Sequence, residues 1–87
     1  MKIKDGYILR EIADSLIVVP IGKRVVEFNG LMMLSESASL LWKKLQHGAE
    51  IEELVQEILN EYDIDEITAR KDVLEFINEL QTKELLQ

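Results

Sequence analysis

The sequence predicts an α+β domain, a three-stranded antiparallel sheet followed by three helices in the order βββααα. Two observations carry this. The residues before about Ser35 hold most of the β-branched clusters and the turn dipeptides, whereas those after it show apolar residues at helical spacing. Strands first and helices second place the helices on one face of a small sheet. The length sets the scale: 87 residues make one domain, spanning 1–87.

Residues 7–13 and 16–21 read as strands rich in Ile, Val and Leu, with Asp14-Ser15 as the turn between them. Leu16-Ile17-Val18-Val19 is continuously apolar, the pattern of a strand covered on both faces. Pro20 donates no hydrogen bond, so it belongs at a strand end or edge. Gly22-Lys23-Arg24 reads as a turn, and residues 25–34 as extended chain. Asn29-Gly30 interrupts that segment. The pair either closes a type I′ hairpin, leaving strands at 25–28 and 31–34, or forms a bulge in one bent strand, and the bulge is preferred.

Ser35 is a good N-cap, with Glu36 favoured in the first turn by the helix dipole. Ala38, Leu41, Trp42 and Leu45 then share a face, and His47-Gly48 stops the helix. The second helix carries Ile51, Leu54, Val55, Ile58, Leu59 and Tyr62 on one stripe and mostly acids on the other. Asp65 caps the third, which runs to about Thr82 with Ala69, Val73, Phe76, Ile77 and Leu80 as its core stripe. Leu85 and Leu86 are expected to fold back and seal the core.

Composition removes many kinds of chemistry. There is no cysteine, so disulfides, thiolate catalysis and cysteine-held clusters are excluded, and a cytoplasmic setting is expected. His47 is the sole histidine, which rules out multi-histidine metal sites, and its place at a helix end suits a dipole contact. The acids of the second helix read as a solvated face, because the spacing of a calcium loop is missing. No glycine pattern fits a phosphate loop. Neither catalytic residues, metal nor cofactor are therefore expected.

No apolar run reaches the ~20 residues that span a bilayer, and no membrane partner is expected. The order of elements is winged-helix-like, so a DNA-binding regulator is one alternative. Ten basic residues against 17 acidic ones argue against nucleic acid, whose binding depends on neutralising phosphates. Met32 and Met33 are neighbours on a strand, so one should enter the core and the other lie at the surface.

The order and spacing of Leu9-Arg10-Glu11-Ile12-Ala13, Ile17-Val18-Val19-Pro20, Phe28-Asn29-Gly30-Leu31-Met32-Met33-Leu34-Ser35-Glu36 and Leu40-Leu41-Trp42-Lys43-Lys44-Leu45 carry a further signal. With Tyr62-Asp63-Ile64-Asp65, Ala69-Arg70-Lys71-Asp72-Val73 and Phe76-Ile77-Asn78-Glu79-Leu80, the chain resembles the PqqD-like family, or RiPP recognition elements, over residues 7–86. One departure is Glu50, where members often place Ser or Thr before the helix.

The resemblance implies a non-catalytic chaperone. Such proteins bind the leader of a ribosomally made precursor peptide and present it to a modifying enzyme, often a radical S-adenosylmethionine protein. The leader adds as a strand beside the third strand, in a groove bounded by the last helix. On this chain that implies Phe28, Leu31, Met32, Met33 and Leu34 on the strand side. The helix side is Ile67, Arg70, Lys71, Leu74 and Asn78, with Asp72 and Glu75 adjoining. Arg70 and Lys71 are expected to meet leader carboxylates. An adaptor that forms a homodimer through the same edge strand is the remaining alternative.

Overall fold

The structure, a computed structural model, describes residues 1–27 and 32–87, the side chains of residues 26 and 27 excepted. Strand β1 (Tyr7–Ile12) and strand β2 (Ser15–Pro20) form an antiparallel hairpin, followed by a helical turn α1 (Arg24–Glu27) and strand β3 (Met32–Leu34). Helices α2 (Glu36–His47), α3 (Ile51–Glu61) and α4 (Glu66–Thr82) complete the chain. The sheet order is β1-β2-β3, antiparallel throughout, so the predicted α+β class holds. Phe28, Leu31 and the choice between turn and bulge at Asn29-Gly30 lie outside the described residues.

The hairpin turn is Ala13-Asp14, one residue earlier than the sequence suggests. Ile12 pairs with Ser15, which makes a two-residue connection. Both turn residues have positive φ, 49° and 67°, as a type I′ turn requires. Serine thus joins the ladder, and alanine takes a conformation in which its Cβ is crowded.

The second departure is α1, where extended chain was predicted from residue 25. Gly22, at φ +58°, redirects the chain after β2, and the backbone closes with Arg24 N donating to Ile21 O and Val25 N to Gly22 O. Arg24 anchors the turn from outside it. Its Nε donates to Asp5 O at 2.9 Å, and its guanidinium lies 5.9 Å from the Tyr7 ring centroid. Gly6, at φ +98°, lies against the same side chain, where a Cβ would collide with the Cγ of Arg24. These tertiary contacts outweigh the strand preference of Val25 and Val26.

One sheet face is core. Tyr7, Val18, Met32 and Leu34 are buried there against Trp42, Leu45, Leu54, Val55, Val73, Phe76 and Leu80 of the helices. The other face is not covered as the apolar run in β2 suggested: Ile17 and Val19 are half-exposed, and Met33 and Ile12 are exposed. Leu85 is fully buried, and Leu86 pairs with Ile3, so the expected C-terminal seal forms.

The helix caps follow the sequence. Ser35 Oγ accepts from Ala38 N, and Asp65 Oδ1 accepts from Thr68 N at 2.6 Å. At Glu50 the carboxylate of Glu53 reaches back to accept the Glu50 N–H at 3.0 Å. This is the N3 half of a capping box, and Glu50 itself stands at the N-cap where a Ser or Thr was expected.

Arg70 joins α4 to α3 by donating from both terminal nitrogens to Glu52, at 2.7 and 2.9 Å. Arg70 holds the Glu52 carboxyl below its ordinary range, and the Thr68 backbone N–H does the same for Asp65. Both carboxyls are more acidic folded than unfolded. Their contribution to stability is complete above the ordinary carboxyl range and is lost as pH falls through the lowered values. Urea midpoints should therefore drop below roughly pH 4. The double variant Glu52→Gln, Asp65→Asn should flatten that acid limb, and an unchanged acid limb would contradict this account.

Candidate functional site: a groove between an edge strand and the last helix

The site begins with the direction of backbone groups on β3. Ile21 N donates to Gly6 O at 2.8 Å, which makes Tyr7 and Pro20 a pair without mutual hydrogen bonds. Alternation then points the N–H and C=O of Ile17 and Val19 towards β1, and those of Leu16 and Val18 towards β3. The latter two pair with Leu34 and Met32. Met33 is left with both backbone groups facing the open edge, where no further strand pairs with β3 among the described residues. The missing N–H of Pro20 falls on the side away from β1, where it interrupts nothing in that ladder.

Side chains alternate the other way. Met32 and Leu34 are 3% and 8% exposed, whereas Met33 is 66% exposed. One methionine enters the core and the other lies at the surface, as adjacent strand positions require.

Beside this edge runs a groove of about 550 Å³. Its strand side is Met33, Leu34 and Ser35; its end is Ser37, Ala38 and Leu41 of α2. Ile58, Tyr62 and Ile64 contribute from α3 and the segment after it, and Asp72, Glu75, Phe76 and Glu79 form the wall on α4. Leu41, Ile58 and Phe76 are core residues, so the floor is apolar and fixed by packing. Rigid placement of that kind is what a specific site needs. The Tyr62 hydroxyl is buried and has no hydrogen-bond partner among the described residues. Burial, and then the charges of Glu36 and Glu61, push this phenol above its ordinary value and keep it protonated.

The residues expected on α4 fall elsewhere. Ile67, Arg70, Lys71, Leu74 and Asn78 line a second hollow of about 590 Å³ with Glu66 and Glu75. Its described lining comes entirely from α4, and it meets the first groove only at Glu75. The structure thus brings Met33 and Leu34 together with Asp72, Glu75, Phe76 and Glu79, and sets the Ile67–Asn78 face aside from them. Met32 sits beneath the strand in the core.

Arg70 is also already engaged, by Glu52 and by Glu66 at 3.4 Å, so its guanidinium is held firmly protonated and paired. Lys71 has no ion pair among the described residues. Asp72 and Glu75 were expected only as adjoining residues, and Phe76 and Glu79 were not expected at the groove. Asp72, Phe76 and Glu79 follow i, i+4, i+7 spacing, so the two acids flank a core aromatic on its own face of the helix. His47 ends α2, is exposed, and does not line the groove. No group of His, Asp or Glu among the described residues is arranged to hold a metal ion. No helix of the described residues is long and apolar enough to cross a membrane.

Comparison with known proteins adds three findings. Residues 15–86 match the family described as Coenzyme PQQ synthesis protein D (PqqD). A solved structure described as TbiB1 in complex with the TbiA(beta) leader peptide superposes with a TM-score of 0.77 at 30% identity, covering 100% of this chain and 95% of the other. A lasso peptide synthetase B1 complexed with its leader peptide superposes at 0.72 over 93% and 89% of the two chains; at 15% identity it speaks to the fold alone. No curated protein matches the sequence.

Proposed function

The chain belongs to the PqqD family, and from that premise we propose that it binds the leader of a ribosomally made precursor peptide by strand addition at β3 and presents it to a modifying enzyme. The observation that carries this reading is the outward N–H and C=O of Met33 beside an apolar-floored groove walled by α4. A peptide laid along that edge gains main-chain hydrogen bonds, each contributing about 0.5–1.5 kcal/mol net. Its alternate side chains then enter the groove over Leu41, Ile58 and Phe76, and these contacts supply specificity.

In this reading the protein performs no chemistry itself, and its reactive partner is a separate enzyme, in the radical S-adenosylmethionine class or another peptide-modifying class. Support comes from membership of the PqqD family. The solved relative at 30% identity is described in complex with a leader peptide. DNA binding finds no support: ten basic residues stand against 17 acidic ones, and Arg70 is already neutralised by Glu52 and Glu66. A second copy could occupy the same edge, so leader peptide is expected to dissociate any concentration-dependent dimer.

The test is an amide-proton NMR titration with candidate leader peptides, taken from any short reading frames that neighbour this chain's gene. The TbiA(beta) leader serves as a second probe and duplex DNA as the control. Shifts are expected at Met32, Met33 and Leu34 and along Asp72, Glu75, Phe76 and Glu79. Shifts confined to the Ile67, Lys71 and Leu74 face would move the site to the second hollow. A response to DNA alone would overturn the reading.

A further inference from the structure

The electrostatics of the groove specify more than a peptide. Asp72, Glu75 and Glu79 are all exposed on its α4 wall, and none forms an ion pair among the described residues. No described lysine, arginine or histidine lines the groove. A second hollow of about 440 Å³ at the hairpin end shares Met33, Leu34 and Ser35 with it and adds Glu11, Asp14 and Glu36. It too has no described cation in its lining. Both hollows that meet β3 at Met33, Leu34 and Ser35 therefore have carboxylates as the only charged groups in their described linings. The cations of α4 are turned towards the other hollow, with Arg70 already neutralised there.

We propose that the groove selects a leader segment carrying two basic side chains two residues apart on the face turned towards α4. This rests on the strand-addition reading above and names the chemistry of the strand that adds. Asp72 and Glu79 are separated by about 10.5 Å along the helix axis, at ~1.5 Å per residue. Same-face positions of an extended strand repeat every ~6.7 Å. The acid row thus spans two successive such positions on an added strand, and a Lys or Arg at each reaches a carboxylate while its stem covers the apolar floor. An acidic strand on the same edge would meet like charge at both positions.

The probe is a displayed library of random dodecapeptides panned on the intact chain. Enriched peptides are expected to carry Lys or Arg at two positions two apart and to shift the amides of Met32, Met33 and Leu34. Replacing both cations by Gln should weaken binding roughly 2- to 30-fold at low salt, the range expected for two exposed ion pairs. The gap should narrow as salt is raised. The triple variant Asp72→Asn, Glu75→Gln, Glu79→Gln should bind the basic and neutral peptides alike, with its circular dichroism unchanged. Enriched peptides that shift β3 without basic enrichment would overturn this inference and leave strand addition standing. Enriched peptides that leave β3 undisturbed would overturn both.

Discussion

Met33→Pro is expected to weaken leader-peptide binding roughly 10- to 100-fold while leaving the fold in place. The hydrogen-bond parity of the sheet gives the reason. Met32 and Leu34 direct their backbone groups to Val18 and Leu16, so the bonds that hold β3 to β2 survive the substitution. Of the described β3 residues, Met33 alone directs its N–H to the open edge, and proline removes that donor and puts a ring where the next strand must approach. Proline is tolerated in a strand when its nitrogen faces solvent, and the residue before it prefers the extended backbone that Met32 already adopts. Met33→Ala separates the two contributions. It keeps the donor and removes only an exposed side chain, so a loss of roughly threefold is expected, less than the worth of one buried side chain. Isothermal titration with the leader peptide reads both variants, and amide spectra report whether β2 and β3 remain paired. A folded Met33→Pro protein that binds as tightly as the parent would show that peptide does not add at this edge.

The same parity explains why the split of Met32 and Met33 follows from the sequence, whereas the α4 residues that border the groove do not. Adjacent methionines on a strand must split between two faces, and Met32 and Met33 do. The helices were legible because their stripes are long and their caps local. Ser35 and Asp65 cap as their side-chain chemistry dictates, and Leu54, Val55 and Ile58 bury the expected face of α3. A helix has several solvent-facing directions, however, and spacing alone does not say which one borders a neighbouring strand.

That choice depends on how α4 is rotated against the sheet, which Phe76 fixes by entering the core between Asp72 and Glu79. The misread segment has a similar origin. Val25 carries a strand-forming side chain, but a left-handed Gly22 and the contacts of Arg24 with Asp5 and Tyr7 impose a helical turn. Such contacts lie up to 19 residues away and leave no periodic trace in the sequence. In the hairpin the ladder extends to Ser15 and leaves Ala13 in the turn, because a two-residue connection matches the twist of the paired strands.

Trp42→Ala is expected to be strongly destabilising. Trp42 is fully buried on α2, at the centre of the face that meets the sheet and the other helices. Truncating a buried tryptophan costs about 3–5 kcal/mol, through lost transfer energy and the cavity left behind. A domain of this length has a total stability of roughly 4–13 kcal/mol, so the variant should be partly unfolded at the low end of that range. Trp42→Phe should cost less than half as much. The indole Nε1 has no hydrogen-bond partner among the described residues, and deleting an unpaired buried donor offsets part of the lost packing. Urea melts followed by far-ultraviolet circular dichroism compare all three proteins, because the only tryptophan is the residue removed. A phenylalanine variant as unstable as the alanine one would show that the indole nitrogen does have a stabilising partner. The loss also reaches the binding edge, since Ser35, the N-cap of α2, directly follows β3, and an undocked α2 no longer holds Leu34 in the core. Ligand binds only the folded form, so leader peptide at 100 times its Kd should return about 2.7 kcal/mol to each variant by mass action. Trp42→Ala should therefore regain much of its lost helical signal when leader is added, and the peptide that restores it should be the one that shifts the amides of β3.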